Sequence, residues 1–186
     1  MATAAIRLQN PFVTEKGVLL RGTSTDDIPH VQELLRKVPD ATLGVSEGEL
    51  KSWSEAGLSK VAVMDGNIVG HQAVTIWPLS KWAEFRSAVV DKDQKGPDGA
   101  PLTAGKNINH DIKKHMIDGL IANHPEVPVI VVVKNSSSNG TSILYSLGFK
   151  DTPEEQVPSE LLTIGEGQKW KFYTLDVAEY KASHSA

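Results

Sequence analysis

The chain has 186 residues, 40% of them hydrophobic, enough for one sizeable core and short for two. It contains no cysteine, which removes disulfides, thiolate metal sites and a cysteine nucleophile together. Its 19 Lys and Arg against 23 Asp and Glu leave a net charge of -4, which argues against a general affinity for nucleic acid. No run approaches the roughly 20 apolar residues that cross a bilayer. The start Met1 to Arg7 also lacks a long hydrophobic stretch. We therefore expect a cytoplasmic chain that contacts neither membrane nor nucleic acid.

Val18 to Gly22 reads as a first strand. Thr25-Asp26-Asp27-Ile28-Pro29 then opens a helix with a capping residue, early acids and a proline in the first turn. Ile28, Val31, Leu34, Leu35 and Val38 recur at helical spacing. Ser46 with Glu49 offers a capping box for a second helix, which Gly57 ends. Lys60 to Met64 and Ile68 to Trp77 are joined by Asp65-Gly66-Asn67, a hairpin signal because these residues tolerate positive φ. Phe85 to Val90 is the next strand. After a long loop, His110, Ile112, Lys113, Met116, Ile117 and Leu120 mark a helix. The run Val127 to Val133, rich in Val and Ile, reads as a buried strand, and Trp170 to Leu175 as the last one. The order predicts an α/β protein with a mixed α+β sheet.

Between those two strands lies Ser138-Asn139-Gly140-Thr141-Ser142-Ile143-Leu144-Tyr145-Ser146-Leu147-Gly148-Phe149, a capped start, a short helix and a glycine stop. With Val129 before it, this segment resembles the last conserved motif of the GNAT superfamily of N-acetyltransferases. In that family an Asn usually stands seven residues before the tyrosine, where this chain has Ser138, with Asn135 and Asn139 nearby. Tyr145 and Phe149 could equally just pack a helix onto a sheet. The element order resembles the same fold over Val18 to Leu175. The resemblance implies a GNAT-like acyltransferase fold in a single domain over residues 18–176, with an N-terminal extension at 1–17 and a C-terminal tail at 177–186. It also implies acetyl-CoA as co-substrate.

A CoA pyrophosphate needs backbone N–H groups converging at a helix start, where the dipole favours negative charge. Ala104-Gly105-Lys106-Asn107-Ile108-Asn109 stands before the His110 helix. The family pattern here is Gln or Arg, two variable residues, Gly, one more, then Gly or Ala. Ala104 replaces the Gln or Arg, and Asn107 and Asn109 replace the small residues. A side chain at such positions blocks close approach of a phosphate, and Asn, which tolerates the left-handed conformation, is the least damaging choice. Asp91 to Gly96 resembles the family's lead-in to this loop, which makes Gln94 a candidate, and Pro97 to Pro101 reads as an insertion. A P-loop is the rival reading of Gly105-Lys106, but Ala100 and Asn107 occupy its first glycine and its hydroxyl position.

In the family an amine attacks the thioester directly, so the missing cysteine does no harm. Proximity, a base and help for the leaving thiolate are what the reaction requires. The resemblance implies Glu84 as base and Tyr145 near the departing sulfur, with Val89 and Val90 pairing to the pantetheine by their main chain. Gln94, Gly105, Lys106, Asn107, Ile108, Asn109, Asn135, Ser138 and Asn139 complete the implied cofactor set. Glu84 read by itself is an ordinary strand-edge carboxylate. The implied acceptor is a primary amine of a small molecule or a protein, with a homodimer left open. The altered glycine loop keeps a second function in view, a GNAT-fold binding or regulatory module without turnover. His110 and His115 make no metal motif, and Asp111 with His115 reads as a helix-surface pair. His71 reads as a packed or exposed strand residue, and Trp77 and Trp82, flanking Pro78, as packing that would also suit a cationic ligand.

Overall fold

The computed structural model describes residues 10–37, 44–135, 141–162 and 170–184, with the main chain alone at Asn135. Its eight-stranded sheet runs in the order β1-β2-β3-β4-β5-β6-β8-β7. By their internal contacts the residues form two compact units, Met1–Val74 with Arg86–Asn123 and Thr75–Phe85 with His124–Ala186.

The first unit holds strands β1 (Phe12–Val13), β2 (Leu19–Gly22), β3 (Ser59–Met64), most of β4 (Asn67–Ile76) and the latter part of β5 (Ala83–Val90). Its helices are α1 (Ile28–Arg36), α2 (Glu47–Glu55) and α3 (Ile108–Asn123). β2, β3 and β4 are antiparallel, with Arg21 opposite Val61 and Val61 opposite His71. Asp65 and Gly66 join β3 to β4 with φ of 47° and 77°, the paired positive values that a two-residue hairpin requires.

Alternation along the strands sends side chains to two faces. Val61 and Ala73 meet Ile28, Val31, Leu34 and Leu35 of α1 and Leu50 and Trp53 of α2. Residues one step out of phase face α3, and there Gly70 is required. A Cβ on it would stand 3.1 Å from Ile112 Cδ1 and 3.2 Å from Ile108 Cγ2. The capping box at α2 forms as its spacing predicts: Glu49 N donates to Ser46 Oγ (3.2 Å) and Ser46 N to Glu49 Oε2 (2.9 Å).

The second unit holds the start of β5, strands β6 (Val129–Asn135), β7 (Lys150–Thr152) and β8 (Trp170–Asp176), and helices α4 (Thr141–Ser146), α5 (Ser159–Leu162) and α6 (Val177–His184). β5 pairs in parallel with β6 through Ala83↔Ile130, Glu84↔Val131 and Phe85↔Val132. β6 pairs antiparallel with β8 along its length, and β7 closes on the other edge of β8. The glycine stop is a Schellman turn: Phe149 N donates to Leu144 O and Gly148 N to Tyr145 O (both 3.0 Å), with Gly148 at φ 89°. Phe149, 2% exposed, then packs its ring 6.3 Å from that of Phe85.

Strand β1 lies inside the span read as an extension, and α6 inside the span read as a tail. Both escape periodicity arguments. Phe12 and Val13 are 50% and 61% exposed, so β1 has no buried face to betray it. Among the described residues no helix is long and apolar enough to cross a membrane.

Candidate active site

The candidate cofactor residues of the first unit stand on an anchored lead-in. At the end of β5, Val89 is buried and Val90 half-buried. Ser87, two residues earlier, has φ 46°, a break in regular strand geometry for a non-glycine residue. Asp91, 4% exposed, then organises the turn that leaves the strand. Its main-chain N–H donates to Val69 O (2.8 Å), and its carboxylate accepts from Asp93 N (2.9 Å), Gln94 N (3.0 Å) and Lys37 Nζ (2.7 Å). Burial pushes the Asp91 carboxyl up, but Lys37 and the two backbone donors outweigh it and hold the group below its ordinary range. The family resemblance assigns Asp91 no task, although an Asp directly after a strand and three residues before Gln94 has the spacing of a side-chain-to-backbone turn.

The insertion is an ordered hairpin. Gly96 N donates to Ala100 O (2.8 Å), Leu102 N to Gln94 O (2.8 Å) and Gly99 N to Gly96 O (3.0 Å), with Gly99 at φ 78°. Asp98 Oδ1 accepts from Ala100 N (3.1 Å). Beside Met64 and Asp65, Pro97, Leu102 and Lys106 line an open groove of about 510 Å³.

Gly105 turns the chain into α3 at φ 66°. Ile108, Asn109 and His110 present the first N–H groups of that helix, which have no intrahelical acceptors at any helix start. Two cations fasten the turn to the β1–β2 hairpin: Lys16 Nζ donates to Gly105 O (3.1 Å), and Lys106 Nζ donates to Lys16 O. Lys106 thus spends its ammonium on the protein's own carbonyl. Asn107 is exposed, Ile108 is buried, and Asn109 accepts from Lys113 Nζ one helical turn on. Lys113, 4% exposed, also donates to Gln72 Oε1 (2.9 Å), and Gln72 Nε2 donates to Arg86 O (2.6 Å) and Ala73 O (3.1 Å). A buried polar chain therefore fixes the start of α3 against β4 and β5. Its signal in the sequence was a Lys among the apolar positions of a helix, four residues after an Asn.

In the second unit Glu84 is 3% exposed. It is an interior carboxylate and not the solvated strand-edge one that its residue type suggests. Trp77 Nε1 donates to Glu84 Oε2 at 3.1 Å. Trp77 is held by a tight turn in which its N–H donates to Trp82 O (2.8 Å) and Lys81 N donates to Trp77 O (3.0 Å).

Tyr145 lies in the opposite environment, 49% exposed on α4. Its hydroxyl donates to Asp151 Oδ2 at 2.6 Å, and its ring meets Tyr173 edge-on at 6.1 Å. The hydrogen bond to the Asp151 carboxylate, with a smaller desolvation effect, pushes the phenol up to about 12. Ser138 and Asn139 lie outside the described residues, as does the side chain of Asn135.

The remaining polar residues sort plainly. Asp111 pairs with His110 (3.3 Å), while His115 stacks on Phe12 at 5.1 Å, so the expected Asp111–His115 pair does not form: the β1 ring covers His115. His71 is the packed alternative, 1% exposed, and burial pushes it down to about 4. Among the described residues no group of three His, Cys, Asp or Glu could hold a metal ion.

No known family model matches the chain, and no curated protein matches its sequence. Solved structures do. The N-acetylglutamate synthase of Neisseria gonorrhoeae, solved with coenzyme A and N-acetyl-glutamate, matches with a TM-score of 0.64 at 17% identity. That match covers 86% of this chain and 35% of the synthase, so the chain spans about a third of that protein's length. The diaminobutyrate acetyltransferase of Paenibacillus lautus, solved with L-2,4-diaminobutyric acid and coenzyme A, gives 0.61 at 14% identity, covering 86% of this chain and 94% of the other. A GNAT-family acetyltransferase of Bacillus cereus gives 0.60 at 12%, covering 86% and 96%. The chain has the fold of the GNAT acetyltransferases.

Proposed function

We propose that this chain is an acyl-CoA-dependent N-acyltransferase that moves acetyl from acetyl-CoA to a primary amine of a small molecule or a protein. The observation that carries the reading is the buried carboxylate of Glu84, set in a strand of an acetyltransferase fold and gripped by an indole N–H. An alkylammonium with a pKa near 10 must lose a proton before it can attack. A carboxylate shielded from water and fixed in place is suited to accept it. The amine nitrogen then bonds to the thioester carbonyl carbon, the C–S bond breaks, and the thiolate leaves and takes up a proton. The main chain of Val89 and Val90 would pair with pantetheine. Gly105 and the first N–H groups of α3, with Gln94 on the lead-in, would receive the pyrophosphate. The amino-acid ligands of the N-acetylglutamate synthase and the diaminobutyrate acetyltransferase support the small-molecule kind of acceptor.

Tyr145 takes a modest part in this reading. Its proton is committed to Asp151, so hydrogen bonding to a developing thiolate would first require release from that carboxylate. The same observation favours a second reading, a GNAT-fold module that binds acyl-CoA or a partner without turnover. Thermal stabilisation by acetyl-CoA followed by thiol release across an amine panel tests both. The first reading expects stabilisation and amine-dependent thiol release that Glu84→Gln abolishes. Stabilisation with no thiol release under any amine would establish the second.

A further inference from the structure

Strand β5 is interrupted at Ser87, whose φ of 46° a non-glycine residue keeps only when its surroundings impose it. Those surroundings are two consecutive residues of β4, His71 and Gln72, both 1% exposed. Successive side chains of a strand leave on opposite faces, so the pair grips β5 in two ways. His71 Nδ1 and Ser87 Oγ share a hydrogen bond at 3.3 Å. Gln72 Nε2 donates to Arg86 O at 2.6 Å. The imidazole gains nothing polar from its other nitrogen: Nε2 is buried and meets no partner among the described residues. A Leu would pack there without that cost, so the bond to Ser87 is what the imidazole adds.

The strand is tied to β4 a second time just past its end. Asp91 N donates to Val69 O (2.8 Å), two residues before His71. Val89 and Val90 thus lie between two anchors on the same neighbouring strand, and their main chain takes its course from both. The ladder that β5 makes with β6 runs through Ala83, Glu84 and Phe85, and the break follows two residues later. Gln72 also works in the other direction. Its Oε1 accepts from Lys113 Nζ (2.9 Å), and that ammonium reaches Asn109 in the first turn of α3. One amide therefore serves the strand through its nitrogen and the helix start through its oxygen.

Building on the acyl-CoA reading, we infer that His71 and Gln72 are positioning residues for the cofactor. By holding Ser87 in its left-handed turn they aim the main chain of Val89 and Val90 at the pantetheine arm. Gln72 in addition sets that strand's place relative to the first turn of α3. Both side chains are interior and act through the backbone they hold.

The test is a calorimetric titration of the full chain with CoA and with ADP, which carries the diphosphate without the pantetheine arm. His71→Leu should weaken CoA about tenfold, the fold-change that matches the cost of one left-handed residue, and leave ADP within about twofold. Glycine takes the same φ without strain, so Ser87→Gly in the His71→Leu background should return most of the lost CoA affinity. Ser87→Ala keeps the strain and loses the hydroxyl, and should weaken CoA by about threefold or more. Gln72→Met should weaken both ligands, because it also loosens the start of α3. Equal weakening of CoA and ADP in His71→Leu overturns the inference, as does an unchanged CoA affinity or a Ser87→Gly change that returns nothing. If His71→Leu does not fold, Ser87→Ala carries the same comparison. An unmodified protein that binds CoA no more tightly than ADP lacks the strand contact, and the inference falls with it. The two readings fail separately. Selective loss of CoA affinity in the variants, with no thiol release from acetyl-CoA under any amine, removes the acyltransferase reading and leaves the positioning roles. Amine-dependent thiol release with an unchanged CoA affinity in His71→Leu does the reverse.

Discussion

Glu84 and Tyr145 come from the same resemblance and the same compact unit, yet their surroundings differ in every respect that matters to chemistry. Glu84 is buried and, as an acceptor, takes a hydrogen bond from the Trp77 indole. Tyr145 is half exposed, and the hydrogen bond it gives to Asp151 commits its proton. A residue type in a motif names a candidate; whether its lone pairs and protons are free depends on neighbours that the motif does not contain.

The largest effect that could break this contrast is the loss of turnover in Glu84→Gln. Removal of a general base costs roughly 10²- to 10⁴-fold in kcat, whereas Tyr145→Phe should cost about tenfold or less with acetyl-CoA binding intact. Steady-state kinetics decide it, and the opposite ranking would reverse the roles. Trp77→Phe keeps the ring and removes the donor to Glu84. Its kcat should fall by about tenfold in the wild-type background and hardly at all in the Glu84→Gln background, because the lost hydrogen bond acts through that carboxylate. Additive effects would make Trp77 a packing residue only.

A smaller effect belongs to the buried polar chain at α3. Lys113→Met leaves Gln72 and Asn109 without their shared donor, which should cost about 1–3 kcal/mol in chemical denaturation and raise the KM for acetyl-CoA. Gly148→Ala forces a Cβ into a φ of 89° and to 3.3 Å from Leu175 Cδ1. We expect it to cost about 1–2 kcal/mol in the same denaturation measurement.

The smallest effect in stability is the most direct on Tyr145. In Asp151→Asn the phenol should titrate nearer its ordinary value than the present value of about 12, as read by absorbance in alkali. The sign comes from linkage. A raised phenol pKa means the folded state holds the proton more tightly, so its contribution is whole below about pH 10 and disappears as pH climbs to about 12. Asp151→Asn should therefore be relatively less impaired at high pH than at neutrality.

Much of the scaffold was legible from the chain because the signals are local. Ser46 and Glu49 are three residues apart, Asp65 and Gly66 adjacent, and Gly148 stands just past the helix it stops. Strands β1 and β7 and helices α5 and α6 were not legible, since elements of two to four residues, or one that covers little apolar surface, complete no hydrophobic period. At the site, residue types were legible and their states were not. Lys113 reads as one polar interruption of an apolar face, and only the proximity of Gln72, 41 residues earlier, makes it a strut.

By itself the sequence determined strands β2 to β6 and β8 and helices α1 to α4, where three of the helices begin or stop, and that a phenol stands in a segment resembling one acetyltransferase motif, with a carboxylate on a strand upstream of it. Backbone conformation responds to neighbours within a few residues, which is why that much can be read along the chain. The tertiary structure alone decided that Glu84 is interior and bonded to an indole, and that three tryptophans pack against one buried cluster. It also decided that the Gly105 turn is fastened to a hairpin 89 residues away. Burial and hydrogen-bond partnership are properties of residues brought together in space, and the free energy of a charge or a proton is set there.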